Sequence, residues 1–295
     1  MGEFVLLSIN YCRQCKQCKT GHPADCVEGT RLHLHGVRPS DQSTAAKLKK
    51  DGNSVRAHFF GQSSFAKMNY VQETSIVKLD PSIRPEDAAK FAAMGCGYQT
   101  GAGTVLNILK PRPAQSVVIF GLGTVGLTAL MACKYIGVRN IIAIDIQPSK
   151  FGLAKELGAT HIVNSKEVSD MPAHIKKLTE GGADFCIDCT GVPAVIETML
   201  DSLAMLGTAV TVGVPPADAK ISISPLRFLL ESKRYIGCRE GDSLPPEFIP
   251  KLVKLQQQGY FPVEKLVTVY DYKDFGKALD DLHHGKVIKP VIQWS

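Results

Sequence analysis

The chain of 295 residues is long enough for about two domains with a large buried core, and its 44% hydrophobic and 21% charged residues are ordinary globular usage. Its 26 glycines and 17 prolines are too few and too scattered for a collagen-like or low-complexity chain. The net charge of +6 is spread among interleaved acids, with Lys47, Lys49 and Lys50 the tightest basic run, which argues against a nucleic-acid partner.

The N-terminal MGEFVLLSINYC has Glu3 where an export signal is basic, and its apolar run is short, so no signal peptide is expected. Position 6 is not Ser or Thr, so the myristoylation pattern fails. The longest nearly apolar stretch, residues 117–132, contains three glycines and falls short of the roughly 18 to 20 residues that span a bilayer. No membrane association is expected, and the default compartment is the reducing cytoplasm.

Residues 1–80 read as short, β-rich, turn-punctuated structure with an exposed polar loop over 38–54. Within it, Cys12, Cys15, Cys18 and Cys26 form C-x2-C-x2-C-x7-C. In a reducing compartment such crowding favours metal ligation over disulfides. Four thiolates close a tetrahedral Zn²⁺ and leave no open position, which defines a structural site. A redox C-x-x-C would leave two cysteines unexplained, and a nucleic-acid finger would need a recognition helix where Gly21, Pro23 and Gly29 crowd the chain. His33 and His35 read as surface histidines in a polar loop, and Cys133 and Cys238 as small buried hydrophobes. Cys186 and Cys189 also spell C-x2-C, but on a strand they point to opposite faces and do not share a metal.

Pro85, Glu86 and Asp87 open a predicted helix over 86–94, which Gly95-Cys96-Gly97 breaks, and a second helix spans 98–109. From 116 onward the pattern alternates. Strands are predicted at 116–120, 140–145, 161–163, 185–188 and 208–212, with helices at 125–136, 150–157, 173–179 and 194–203 between them. This alternation implies an α/β domain with a parallel sheet covered on both faces. Helices at 246–258 and 275–283 and a strand at 287–293 complete the chain.

Gly121-Leu122-Gly123-Thr124-Val125-Gly126 directly follows a predicted strand and opens a helix. The first glycine suits a tight turn, the second lets backbone approach a pyrophosphate, and the third lets helix and strand pack closely. Asp145 ends the next strand, where a carboxylate accepts the ribose hydroxyls and repels a 2′-phosphate, so NAD is favoured over NADP.

Across essentially its whole length the sequence resembles the zinc-dependent medium-chain alcohol dehydrogenases. The four-cysteine lobe, GCGYQTGAGTVLN, VVIFGLGTVGLTA, IIAIDIQPSK, VTVGVPP and GKVIKPV follow that family's order and approximate spacing, and FFGQSSFA (59–66) is most similar to the aryl or benzyl alcohol branch. The resemblance implies a doubly wound Rossmann sheet plus a truncated, β-rich, GroES-like catalytic domain. It divides the chain into 1–97 (catalytic-domain remnant with the zinc lobe), 98–240 (NAD-binding domain) and 241–295 (a return to the catalytic domain). It further implies Cys96 as a catalytic-zinc ligand, where residues alone suggest a buried cysteine. Thr100 falls near the nicotinamide, Lys150 beside the adenosine ribose, Val212, Gly213 and Val214 at the nicotinamide end, and Lys289 at the pyrophosphate. For both lysines a solvated surface is the alternative.

The family's other zinc ligands and its Ser/Thr–His proton relay precede the lobe, and nothing in this sequence corresponds to them. The expectation is therefore an NAD-linked, zinc-dependent alcohol dehydrogenase by lineage, acting on an aromatic or aliphatic alcohol or its aldehyde. Its catalytic zinc site is incomplete, with Cys96 the sole remaining ligand. The alternative is an inactive NAD- and zinc-binding fragment or partner of a full-length relative. Ser8 is a candidate pocket-lining residue, and a homodimer or homotetramer is expected through the sheet edge near 222–237.

Overall fold

The computed structural model describes residues 2–294 apart from Pro39, Ala45, Ser63 and Ser64. Ser63 and Ser64 belong to the FFGQSSFA motif and lie outside the described residues. Strand β1 (Val5–Leu7) is followed by two short helices, α1 (Lys16–Lys19) and α2 (Gly29–Leu34), and by a small hairpin of β2 (Ala46–Lys47) and β3 (Ser54–Val55). Strand β4 (Ile76–Lys78) returns antiparallel to β1. These four strands are only two or three residues long, so the first 80 residues are less β-rich than their sequence suggests.

The next segment differs from expectation in one respect. A 3-10 turn (Pro85–Asp87) leads into α3 (Ala88–Phe91), a turn at Ala92 and Ala93 follows, and then a π turn (Met94–Tyr98), α4 (Gln99–Gly103) and a second π turn (Thr104–Leu109) run on as one helix. Gly95-Cys96-Gly97 therefore does not break it. The glycines serve close packing instead: a Cβ on Gly95 would lie 1.8 Å from the Leu7 carbonyl oxygen, and one on Gly101 would lie 2.0 Å from that of Val125. A local pattern cannot distinguish a helix-ending glycine from one that lets a neighbouring backbone approach.

The alternating region follows the sequence closely. It runs β5 (Ser116–Phe120), α5 (Thr124–Ile136), β6 (Asn140–Asp145), α6 (Phe151–Leu157), β7 (His161–Asn164), α7 (Met171–Leu178), β8 (Ala183–Asp188), α8 (Pro193–Asp201) and β9 (Leu203–Thr211). Helix α9 (Pro225–Glu231) and strand β10 (Arg234–Gly237) then extend it at one edge. The six strands are parallel in the order β10-β9-β8-β5-β6-β7. Sequence order reverses between β5 and β8, and such switch points open a crevice beyond the strands' carboxyl ends. Strand alternation divides the core. Val117, Ile119, Ile141 and Ala143 face one cluster, and Val118, Phe120, Ile142 and Ile144 the other.

Helix α10 (Pro245–Gln257), strand β11 (Val267–Asp271), helix α11 (Phe275–His283) and strand β12 (Lys289–Gln293) complete the chain, with β11 and β12 paired in parallel. One apolar cluster takes Leu6 and Val77 from the N-terminal segment, Leu127 and Leu130 from α5, and Ile249, Leu252 and Val253 from α10. Both ends of the chain thus pack on the same face of the parallel sheet. No described helix is long and apolar enough to cross a membrane.

Candidate cofactor and metal sites

The glycine loop joins the buried strand β5 to α5. Gly121 sits at φ +94°, a left-handed conformation that suits glycine, and a Cβ on Gly126 would lie 1.9 Å from the Gly121 carbonyl oxygen. Nothing lies within 4 Å of where a Cβ on Gly123 would project. Gly123 is the N-cap of α5 and provides no side chain to its first-turn amides, so these donors meet an open face suited to a phosphate.

Asp145 ends β6 with its carboxylate locked in place. The Leu122 amide donates to Oδ2 at 2.6 Å, the Gln147 amide to Oδ1 at 2.9 Å, and Lys150 Nζ to Oδ2 at 3.0 Å. Two carboxylate oxygens offer about four lone-pair sites, and with three donors already placed about one remains, on Oδ1, for a ribose hydroxyl. Gly121, Gly123, Asp145 and Lys150 all line one cavity of about 670 Å³. Its other walls come from residues following β6 (Ile146, Gln147), β7 (Ser165) and β8 (Thr190, Val192), and from the segment after α11. The sequence reading missed these wall residues. The rule that ligands bind beyond the carboxyl ends of parallel strands is the signal that would have found them.

The remaining cofactor candidates lie outside that cavity. Leu122, Thr124, Val125 and Gly126 form the loop and helix behind it. Thr100 is buried in α4, its hydroxyl donating to the Cys96 carbonyl oxygen at 2.9 Å. The amides of Val212 and Gly213 donate to the Asp188 carbonyl oxygen at 2.9 and 3.0 Å, and Val214 is 90% exposed. Lys289, half-buried at the start of β12, lies close enough to Cys96 for its charge to act on that thiol.

In the lobe, the sulfurs of Cys12, Cys15, Cys18 and Cys26 all lie within 4.8 Å of one another, and Cys12 Sγ is 3.9 Å from Cys18 Sγ. A tetrahedral zinc with bonds of about 2.3 Å has ligand edges of about 3.8 Å, so the four residues fit the metal. Backbone amides point at the sulfurs as well. Cys15 N donates to Cys12 Sγ at 3.3 Å, and Cys18 N donates to Cys15 Sγ at 3.5 Å. Amide donation, from Cys18 first and then Val27, lowers the Cys15 thiol to about 6.

The surroundings of Cys96 are different. Its sulfur lies 3.7 Å from Glu240 Oε1, and Glu240 Oε2 accepts from Gln99 Nε2 at 2.9 Å. Cys96 keeps an open side, yet desolvation by the packed chain, with the Glu240 charge second, pushes its thiol up to about 12. Burial likewise raises the Glu240 carboxyl. Among the described residues no third metal-ligating side chain joins this pair. A catalytic zinc needs about three protein ligands and an open position, so the residues here do not fit it. Ser8 lies beneath, fully buried, donating to the Gly95 carbonyl oxygen at 2.8 Å and accepting from Gln99 Nε2 at 2.9 Å. It supports the floor of this site instead of lining a pocket.

Sequence reading did not find Glu240. It occupies a turn in which Glu240, Gly241 and Asp242 are all left-handed (φ +48°, +66° and +44°). Holding a non-glycine residue there costs on the order of 1–2 kcal/mol. The turn is clamped from both sides. His22 Nδ1 pairs with Asp242 Oδ1 at 2.8 Å, and Asn107 Nδ2 donates to the Gly241 carbonyl oxygen at 2.9 Å. Arg239 Nη2 lies 3.3 Å from His33 Nδ1, whose other ring nitrogen meets the Asn10 carbonyl oxygen at 2.6 Å. His33 is thus a buried residue of α2 and not a surface histidine, because these polar partners compensate its burial. Cys133 is buried as expected, whereas Cys238 is half-buried.

The open glycine loop, the anchored acid and the four-sulfur lobe together define a dinucleotide- and zinc-binding oxidoreductase. A family model described as zinc-binding dehydrogenase matches residues 124–257. The geraniol dehydrogenase of Castellaniella defragrans is 36% identical, the match covering 99% of this chain and 77% of that protein. The class-2 alcohol dehydrogenase isozyme 2 of Oryctolagus cuniculus is 32% identical over 99% of this chain and 76% of its own length. Among solved structures, the benzyl alcohol dehydrogenase of Acinetobacter calcoaceticus superposes with a TM-score of 0.89 at 39% identity, covering 100% of this chain and 78% of that one. The chain belongs to the zinc-dependent medium-chain alcohol dehydrogenase family, an oxidoreductase family using NAD and zinc. Its lineage is that of NAD-linked alcohol oxidation, and the inactive-partner alternative is not favoured.

Proposed function

We propose that the cavity holds NAD through Gly121, Gly123, Asp145 and Lys150, and that the protein transfers a hydride between an aromatic or allylic alcohol and that cofactor. The observation that carries this reading is Asp145, anchored by two amides and Lys150 inside the cavity beside the glycine loop. When bound, the dinucleotide accepts the hydride that an alcohol gives up on oxidation. The chain's own work is to position it: α5 amides meet the pyrophosphate, and Asp145 receives a ribose hydroxyl and disfavours a 2′-phosphate. The substrate class rests on relatives named for geraniol and benzyl alcohol.

Cys12, Cys15, Cys18 and Cys26 hold one structural zinc in this reading, and Thr100, Val212, Gly213, Val214 and Lys289 serve the nicotinamide and pyrophosphate end. The segments 1–97 and 241–295 act as one catalytic unit around the NAD-binding 98–240; Leu6 and Val77 pack with Ile249 and Leu252 in a core that also takes in Leu127 and Leu130. The compartment is cytoplasmic, where these thiols stay reduced. A second copy adds at strand β10. The edge of that strand away from β9 has no pairing strand among the described residues, and Leu226, Leu229 and Leu230 of α9 are exposed beside it.

Calorimetric titration with NADH tests the reading. Asp145→Ala removes charge-assisted hydrogen bonds and should weaken binding about 10- to 100-fold. A wild-type chain that takes up no NADH overturns it.

A further inference from the structure

Asp188 is a carboxylate with no exposed surface, and no ion pair among the described residues includes it. Burying such a charge is costly unless donors surround it, and here they all come from one loop. Oδ1 accepts from the Thr190 amide at 2.8 Å and from the Thr190 hydroxyl at 2.7 Å, and the Gly191 amide reaches both oxygens at 3.2 and 3.3 Å. The Thr190 hydroxyl in turn accepts from the Val192 amide at 3.1 Å. Thr190 and Val192 are cavity wall, yet Asp188 itself does not line the cavity.

Two close approaches carry the effect of this carboxylate further. A Cβ on Gly121, the first glycine of the phosphate loop, would lie 2.9 Å from the Thr190 methyl, so Thr190 is seated directly against that loop. Gly191 is left-handed at φ +69°, and a Cβ there would lie 2.5 Å from the Val214 carbonyl oxygen, while one on Gly213 would lie 2.2 Å from Gly191 N. The Asp188 carbonyl oxygen also receives the Val212 and Gly213 amides. The glycine loop and the segment after β9 therefore both meet the short stretch Asp188–Gly191, the first at Thr190 and the second at Asp188 and Gly191.

We propose that Asp188 is a positioning residue for the cofactor, acting through Thr190 and Gly191 to hold these three segments in register. The proposal rests on the cofactor reading above. Asp188 touches no part of the dinucleotide. It fixes the wall against which the dinucleotide is bound, and the hydroxyl of Thr190 is the link.

The test is NADH affinity of the full chain, read by calorimetry. Asp188→Asn keeps one acceptor but turns an amino group toward the Gly191 amide, and it should weaken binding about tenfold. Thr190→Val keeps the shape and removes the link, with a loss of similar size, and it serves if the Asp188 variant does not fold. Thr190→Ser keeps the hydroxyl and should stay within about threefold of wild type. The double variant should bind no more weakly than Asp188→Asn alone, because both substitutions break one frame. Wild-type affinity in Asp188→Asn or Thr190→Val, equal losses in Thr190→Ser and Thr190→Val, or losses that multiply in the double variant would each overturn the proposal. Failure of the wild type to bind NADH removes the cofactor reading itself, a distinct result.

Discussion

The cavity at the carboxyl ends of the parallel strands and the neighbourhood of Cys96 are built on opposite principles. In the first, each functional group sits at or just past the end of a strand or at a helix start, so regular structure positions it locally. Gly121 follows β5, Asp145 ends β6, and Thr190 follows β8. In the second, Ser8, Cys96, Gln99 and Glu240 come from distant segments and meet only after the whole chain has folded. Glu240 is 144 positions from Cys96, and its turn needs clamps from α4, from the segment after it and from the cysteine lobe. A locally built site tolerates change elsewhere in the chain, whereas an assembled one depends on every segment that contributes to it.

Removing the lobe's metal should sharpen this contrast most. Cys18→Ser leaves three thiolates, and structural zinc in zinc-finger peptides contributes apparent binding energies of about 10–16 kcal/mol that are largely folding energy. Zinc should fall from about one per chain to near none by elemental analysis. Hydrogen exchange should accelerate over residues 10–35 and 238–243, with β5 to β8 still protected. Equal acceleration across the parallel sheet would erase the distinction between the two regions. A smaller and opposite effect is expected of Gly126→Ala. Its methyl would meet the Gly121 carbonyl oxygen at 1.9 Å, forcing the loop off its path. Overpacking of this kind typically costs about 1–3 kcal/mol. NADH binding should fall by at least about tenfold. Zinc content should be unchanged. An unaltered NADH affinity would show that the loop does not carry the phosphate.

The same division explains what the sequence disclosed. The alternating strands and helices were legible because burial on both faces imposes continuous apolar runs, and Asn140–Asp145 and Phe275–His283 have their expected bounds. The four-sulfur lobe was legible because its ligands are close in sequence. Helix α9 and strands β10 and β11 were not singled out as elements, since exposed side chains such as Leu229 and Val269 disrupt the burial pattern such readings use. The helix expected over 98–109 is present, whereas the break expected at 95–97 is not, because the purpose of Gly95 is visible only once Leu7 is placed beside it. Glu240 and the buried state of His33 depend on contacts across about 140 and 200 residues, which no local pattern encodes.

The smallest expected effect concerns the clamp between the cysteine lobe and the Glu240 turn. His22 is held above its ordinary value by its hydrogen bond to Asp242 first, and by the charges of Asp242 and then Asp25. A histidine raised on folding binds its proton more tightly in the folded state. Its contribution is therefore complete below the unfolded value of about 6.5 and disappears as pH rises through the higher folded value. His22 is 51% exposed, so solvent screening limits the pair to less than about 1 kcal/mol. His22→Ala should accordingly lower unfolding stability slightly at pH 6 and not at all at pH 9, as measured by denaturant titration at both values. Because the ion pair holds a left-handed turn that is costly on its own, exchange at the Asp242 amide should follow the same pH trend. A stability difference that stays flat between pH 6 and pH 9 would mean that packing of the imidazole, and not its charge, ties the lobe to the turn.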